Sequence, residues 1–233
     1  MALGAIFDLD GTLVTFRFDL RTARKEVIRE LADRGYDMSA QDSSGPTQRL
    51  LDAAKAQTPS GDEPRFACAR RAAFEILDRY EVAGVSSTEP FPETRETLEE
   101  LSRSGVRMAV LTNSGRKAAS AELELAGISG YFEFVLTRDD TVVMKPAPEG
   151  VVLAASRLCL PRDSTYYIGD SPYDVQAAKA AKVKVISVAT GSYPAARLRD
   201  EGADYAVASL ADLKPLFAGL RSQGGAGGRV GAD

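Results

Sequence analysis

From about residue 88 onward, short apolar runs rich in β-branched residues alternate with segments whose apolar positions recur every three or four residues. The runs predict strands over 106–111, 134–136, 166–168, 183–188 and 205–207, with one more at 5–9. Between them the spacing predicts helices over 93–104, 117–126, 150–159 and 175–181. Leu98 and Leu101 share a face of the first, and Gly105 and Gly127 stand where a C′ glycine would end the first two. Strand and helix in alternation imply an α/β fold, a doubly wound Rossmann-like parallel sheet with helices on both faces.

Residues 15–87 break this rhythm. Three helical patterns, 20–34, 48–57 and 66–80, are separated by polar turns at Ser43-Ser44-Gly45-Pro46 and Thr58-Pro59-Ser60-Gly61. The organisation read from this is an α/β core over 1–14 and 88–222 and an all-helical insert over 15–87. A tail follows over 223–233, whose five glycines predict flexibility.

Charge and composition narrow the function classes. The net charge of −4 argues against a nucleic-acid or membrane-surface binder. No run approaches the ~18 apolar residues of a membrane span. Residues 1–7 lead straight into Asp8 and Asp10, with neither a basic segment before them nor a small-residue cleavage site, so no signal peptide is expected. Two cysteines, Cys68 and Cys159, make no disulfide framework and suit a reducing cytoplasm. Arginine outnumbers lysine 21 to 8, as genome composition or a hot habitat would each produce.

The absence of histidine matters most for chemistry. It removes Ser-His-Asp and Cys-His nucleophiles, two-histidine zinc motifs and any imidazole base. Catalysis would have to run on carboxylates, lysine, hydroxyls, backbone dipoles and a hard metal ion. Four segments, each after or between predicted strands, offer such groups. In Phe7-Asp8-Leu9-Asp10-Gly11-Thr12-Leu13, two carboxylates two residues apart leave the carboxyl end of a strand, where open α/β sheets bind ligands. Like charges this close need a shared proton or cation, and all-oxygen ligation suits magnesium. Gly11 allows a turn that brings N–H groups to an anion.

Thr112-Asn113-Ser114-Gly115 carries the chain's single asparagine and forms a phosphate cradle, or simply a helix cap at Ser114. Lys145-Pro146-Ala147-Pro148 holds a lysine in a stiff turn, available to phosphate oxygens or, equally, to solvent. Ile168-Gly169-Asp170-Ser171-Pro172-Tyr173-Asp174 offers Asp170 as a metal ligand, and Asp174 as either a supporting acid or a first-turn acid favoured by the helix dipole.

These four segments, in this order, resemble the four motifs of the haloacid dehalogenase superfamily, and the match spans most of residues 3–217. The helical insert resembles the family's type-1 cap. The resemblance implies a magnesium-dependent phosphatase in which Asp8 is the nucleophile and forms an aspartyl-phosphate. Asp10 would be the general acid and then the general base. Magnesium would be held by the Asp8 and Asp170 side chains and the Asp10 carbonyl, with Asp174 in support. Gly11, Thr112, Asn113 and Lys145 would bind the phosphate.

Asp10 and Asp170 speak against dehalogenation. Gly169 and Asp174 fit the phosphoglycolate-phosphatase-like pattern better than that of the sugar-phosphate mutases. The segment Thr15-Phe16-Arg17-Phe18 departs from the Asp-Ser or Asp-Thr frequent in relatives. Gly45, Thr47 and Arg49 resemble the substrate-specificity loop of this cap type, with Arg49 on an anionic substrate end or merely in solvent. The expected partner is a small-molecule phosphate ester, phosphoglycolate-like or a sugar phosphate, with no nucleic acid and no membrane; the protein would be a monomer or homodimer. A β-phosphoglucomutase-type phosphoryl transfer is the alternative, and a non-catalytic binding module stands third.

Overall fold

The computed structural model describes the backbone of residues 2–15 and 17–226 and side chains as far as Ser222. Six parallel strands form one sheet: β1 (Gly4–Phe7), β2 (Arg107–Leu111), β3 (Val135–Leu136), β4 (Thr165–Gly169), β5 (Lys184–Val188) and β6 (Tyr205–Val207). Their order is β3-β2-β1-β4-β5-β6, so β1 is central and the chain reverses its direction of travel between β1 and β4. Such a switch point opens a crevice at the carboxyl ends of the strands.

Side-chain alternation on β1 explains its place. Ala5 and Phe7 enter the core on one face with Val110, Ile168 and Ile186, while Ile6 enters the other with Ala109, Tyr167 and Val185. A strand covered on both faces reads as a continuous apolar run, which is how the sequence presents it. The first face is covered by α4 (Thr94–Arg103), α5 (Arg116–Leu125) and α9 (Leu213–Ala226). The second is covered by α6 (Glu149–Arg157), α7 (Pro172–Ala180) and α8 (Ala195–Asp200).

The sheet and most helices lie where the pattern predicts, with ends shifted by a few residues. β1 stops at Phe7 rather than residue 9 because the chain turns: the Leu9 carbonyl accepts from the N–H groups of Thr12, Leu13 and Val14. The helices over 195–200 and 213–226 go beyond the sequence expectation. The α9 stripe of Leu213, Phe217 and Leu220 is buried at helical spacing and was legible. That helix extends through residue 226, into the stretch expected to be a flexible tail, and the rest of that stretch lies outside the described residues.

The insert is helical, with α1 (Leu20–Asp33), α2 (Thr47–Ala56) and α3 (Glu63–Gly84). Asp19 caps α1 by accepting from the Thr22 N–H at 2.9 Å, and Ala23, Val27 and Leu31 form its buried stripe. They meet Leu50, Leu51 and Ala54 of α2 and Ala69, Ala73, Ile76 and Leu77 of α3 in a core of their own, to which Met144 is, among the described residues, the one addition from outside the insert. The two chain crossings run side by side, with Val14 bridged to Pro90 and the Thr15 N–H donating to the Glu89 carbonyl at 2.8 Å.

A buried ionic network ties α3 to the sheet. Arg138, just after β3, is fully buried; it pairs with Glu81 at 2.5 Å and with Asp78, and donates to the Asn113 carbonyl at 3.1 Å. Glu81 also accepts from the Gly115 N–H at 3.0 Å and so caps α5 from another part of the chain. Removing one partner of such a pair strands a buried charge. Arg138→Ala should lower unfolding free energy by about 3–5 kcal/mol in urea titrations, whereas Arg103→Ala, which breaks an exposed pair with Glu99, should hardly register. Equal, small effects would refute a stabilising role for this network.

Glu122 on α5 is also buried and has no cation to pair with among the described residues. Burial, joined by the charges of Asp10 and Glu81, pushes its carboxyl up to about 9. The folded state therefore holds a proton that the unfolded chain releases near the ordinary carboxyl value, and stability falls as pH rises between the two. Glu122→Gln should gain on wild type steadily between pH 5 and pH 8 in thermal melts; a pH-independent difference would refute this.

Candidate active site

Four strand ends deliver the polar groups. After β1 the chain makes a tight turn in which the Gly11 N–H donates to the Val14 carbonyl at 2.7 Å. Gly11 has φ +82°, and a Cβ there would fall 2.6 Å from an Asp170 oxygen, so both conformation and space require glycine. Asp8 and Asp10 leave this turn for different partners. Asp8 Oδ1 faces Lys145 Nζ at 2.6 Å, while Asp10 Oδ2 accepts from Ser114 Oγ at 2.6 Å and Asp10 Oδ1 is buried with no hydrogen-bond partner.

Lys145 is buried, contrary to the solvent alternative. Its ammonium meets Asp8, Asp174 Oδ1 at 2.7 Å and the Tyr167 hydroxyl at 2.9 Å. Asp174 is fully buried and is satisfied on both oxygens: Oδ1 by Lys145 and Tyr167, Oδ2 by the Ser171 N–H and hydroxyl. It is the third residue of α7 and closes a capping box with Ser171, as a first-turn acid does, while its other oxygen holds Lys145. Asp170 accepts from Thr12 Oγ1 at 2.8 Å, and its other oxygen lies where a Cβ on Gly191 would be, 1.8 Å away. The loop after β5 can pass Asp170 only with glycine at that position.

Oxygens of Asp8, Asp170 and Asp174 lie within 4.8 Å of one another. Three carboxylates thus face one ammonium, a surplus of two negative charges in a desolvated place. Burial raises the Asp8 carboxyl well above its ordinary value; Lys145 opposes this, and Asp174 and Asp170 reinforce it. Burial and Asp174 push Asp170 up to about 7. Burial alone would lower Lys145, but Asp174 and Asp8 overcome it and keep the amine charged. Asp10 is pushed up to about 6, by burial against the Ser114 bond and with help from Glu81. Oxygen donors with uncompensated charge suit a hard divalent cation. Asp8 and Asp170 keep capacity for one, while Asp174 has none left.

The expected phosphate-binding residues are at the same place, with one difference in use. Thr112 is buried and accepts from the Ser114 N–H at 3.0 Å. Asn113 makes a two-bond ring with the Lys145 main chain, donating to its carbonyl at 3.1 Å and accepting from its N–H at 3.0 Å. Its amide therefore braces the lysine turn, whose Lys145–Pro146 peptide is cis.

Asp8, Asp10, Gly11, Thr112, Asn113, Lys145, Asp170 and Thr47 line one cavity of about 270 Å³, and Asp174 lies directly behind Lys145. Gly45 and Arg49 do not line it. Arg49, given the alternatives of a substrate contact or solvent, is exposed, pairs with Asp42 at 2.9 Å and folds over Gly45. In its place Arg24 of α1 reaches the cavity and donates to Thr47 Oγ1 at 3.2 Å. Ser114, Thr12 and Gly191 escaped the sequence reading. Ser114 stood in the quoted motif but as a helix cap, a place taken by Gly115.

A family model of haloacid dehalogenase-like hydrolases matches residues 5–188. A phosphoglycolate phosphatase from Pectobacterium atrosepticum is 30% identical over 216 residues, 92% of each chain. The pyrophosphatase PpaX of Oceanobacillus iheyensis is 25% identical, over 89% of this chain and 93% of its own. A HAD family hydrolase from Deinococcus radiodurans R1, solved with bound phosphate and sodium, superposes with a TM-score of 0.59 at 23% identity, covering 93% of this chain and 95% of its own, which establishes likeness of fold. No described helix is long and apolar enough to cross a membrane. Motif order, parallel sheet and matched length agree, and the chain belongs to the haloacid dehalogenase-like hydrolases.

Proposed function

We propose that the protein is a magnesium-dependent phosphomonoesterase acting on a small phosphate ester in the cytoplasm, with residues 15–87 serving as a cap over the site. The carrying observation is the convergence of Asp8, Asp170 and Asp174 on one another, the first and last of them paired with Lys145, with Asp10 beside them at the same sheet edge. The names of the relatives, phosphoglycolate phosphatase and pyrophosphatase, support the reaction class. A cavity of about 270 Å³ supports a small substrate, phosphoglycolate-like or a sugar phosphate. α1, α2 and α3 lend it Arg24, Thr47, Leu77 and Glu81, in support of the cap.

In this reading Asp8 attacks phosphorus with a carboxylate oxygen, forming the aspartyl–phosphate bond as the ester P–O bond breaks. Lys145, fixed by Asp174 and the Asn113 ring, carries positive charge to the transferring group. Asp10 gives its proton to the leaving alcohol; its free oxygen is buried and its carboxyl value near 6 lets it exchange protons at neutral pH. It then takes a proton from the water that attacks phosphorus and breaks the acyl–phosphate bond, restoring Asp8. Thr112 and Gly11 line the cavity, and the Thr112 side chain and the Gly11 main chain would hold phosphate oxygens. The Asp8 and Asp170 carboxylates and the Asp10 carbonyl would hold magnesium, which when bound offsets the negative charge shared by nucleophile and phosphate.

Asp8→Asn should abolish magnesium-dependent phosphate release from a panel of small phosphomonoesters. Asp10→Asn should slow it by about 10²–10⁴-fold while retaining magnesium affinity, because its side chain is outside the ligand set. Titration calorimetry showing magnesium lost from Asp10→Asn as fully as from Asp8→Ala would refute the assignment.

Phosphate released should equal ester consumed. Accumulation of a sugar-phosphate isomer without free phosphate, followed in a coupled assay, would instead establish the mutase alternative.

A further inference from the structure

Among the described residues, two basic side chains line the cavity, and their surroundings differ. Lys145 is paired with two carboxylates. Arg24 lines the same space half-buried, with no carboxylate of the described residues within ion-pair distance. Among the described residues its one side-chain bond runs from Nε to Thr47 Oγ1, and neither Nη group meets an acceptor. Burial lowers the guanidinium below its ordinary value; Tyr173 and Tyr193, which also line the cavity, oppose the shift, and nearby Arg49 adds to it.

A cation that has lost hydration without gaining a counter-charge is destabilising. The same chain shows the compensated case at Arg138, buried against Glu81 and Asp78. A planar guanidinium with free Nη groups matches a carboxylate or a phosphoryl group in a two-bond fork. Asp8, Asp170 and Lys145 line the same cavity as Arg24, so a molecule that fills it faces both places.

We propose that Arg24, steadied by Thr47 and accompanied by Tyr173 and Tyr193, is a subsite for a second anionic group, so that the preferred substrates carry a carboxylate or a further phosphoryl group remote from the scissile phosphorus. This rests on the phosphatase reading only for the position of the scissile phosphate.

Three non-hydrolysable probes test it by titration calorimetry at fixed magnesium: phosphonoacetate, methylenediphosphonate and ethylphosphonate. Wild type should bind one or both of the probes that carry a second anionic group about 10–100-fold more tightly than ethylphosphonate, and which of the two gains identifies carboxylate or phosphoryl. Arg24→Gln, its fold verified by circular dichroism, should lose most of that ratio, and Arg24→Lys should restore part of it. Equal binding of all three probes by wild type, no binding of any, or an undiminished ratio in Arg24→Gln would overturn the subsite. Discrimination among probes by a protein that hydrolyses no ester would defeat the phosphatase reading and leave the subsite standing. Phosphate release without discrimination would do the reverse.

Discussion

A single buried ammonium organises the sheet edge. Lys145 stands between Asp8 and Asp174, and without it these two carboxylates and Asp170 would face one another in a desolvated space with nothing to balance them. Much nearby structure keeps that ammonium in place. Asp174 is locked by the α7 capping box, Tyr167 reaches up from β4, and the Asn113 amide closes on the Lys145 main chain. One positive charge among three negative ones still leaves a deficit that oxygen-bound metal chemistry is suited to fill.

A second ionic centre lies one layer out and works differently. Arg138 and Glu81 join α3 of the insert to the ends of β2 and β3. Because Glu81 lines the cavity and raises the Asp10 carboxyl, the placement of the insert bears on the acidity of the group read as the proton donor. The helices therefore contribute charge to the site as well as walls.

Glycines at the edge set how closely segments approach. Gly11 and Gly191 both sit against the Asp170 carboxylate, where any side chain would displace it. The first was legible from its motif. Gly191, after β5, follows no local signal, since what it avoids comes from a residue 21 positions earlier.

Local chemistry determined a good deal. Alternation along β1 and periodicity along α1 come from burial on two faces or on one, so strands, helices and insert could be read directly. The carboxylates of the first and fourth motifs stood out because paired acids at strand ends are costly without a use. Charge partners over long separations were decided by tertiary structure alone. Lys145 looks like any surface lysine until β4 and α7 surround it, and Arg138 had no signal at all. Arg49 and Arg24 show the same division: both are helix arginines in the sequence, yet Asp42 draws the first outward and the packing of α1 leaves the second in the cavity. Periodicity records which face of an element is buried; which charge meets which depends on how the elements come together.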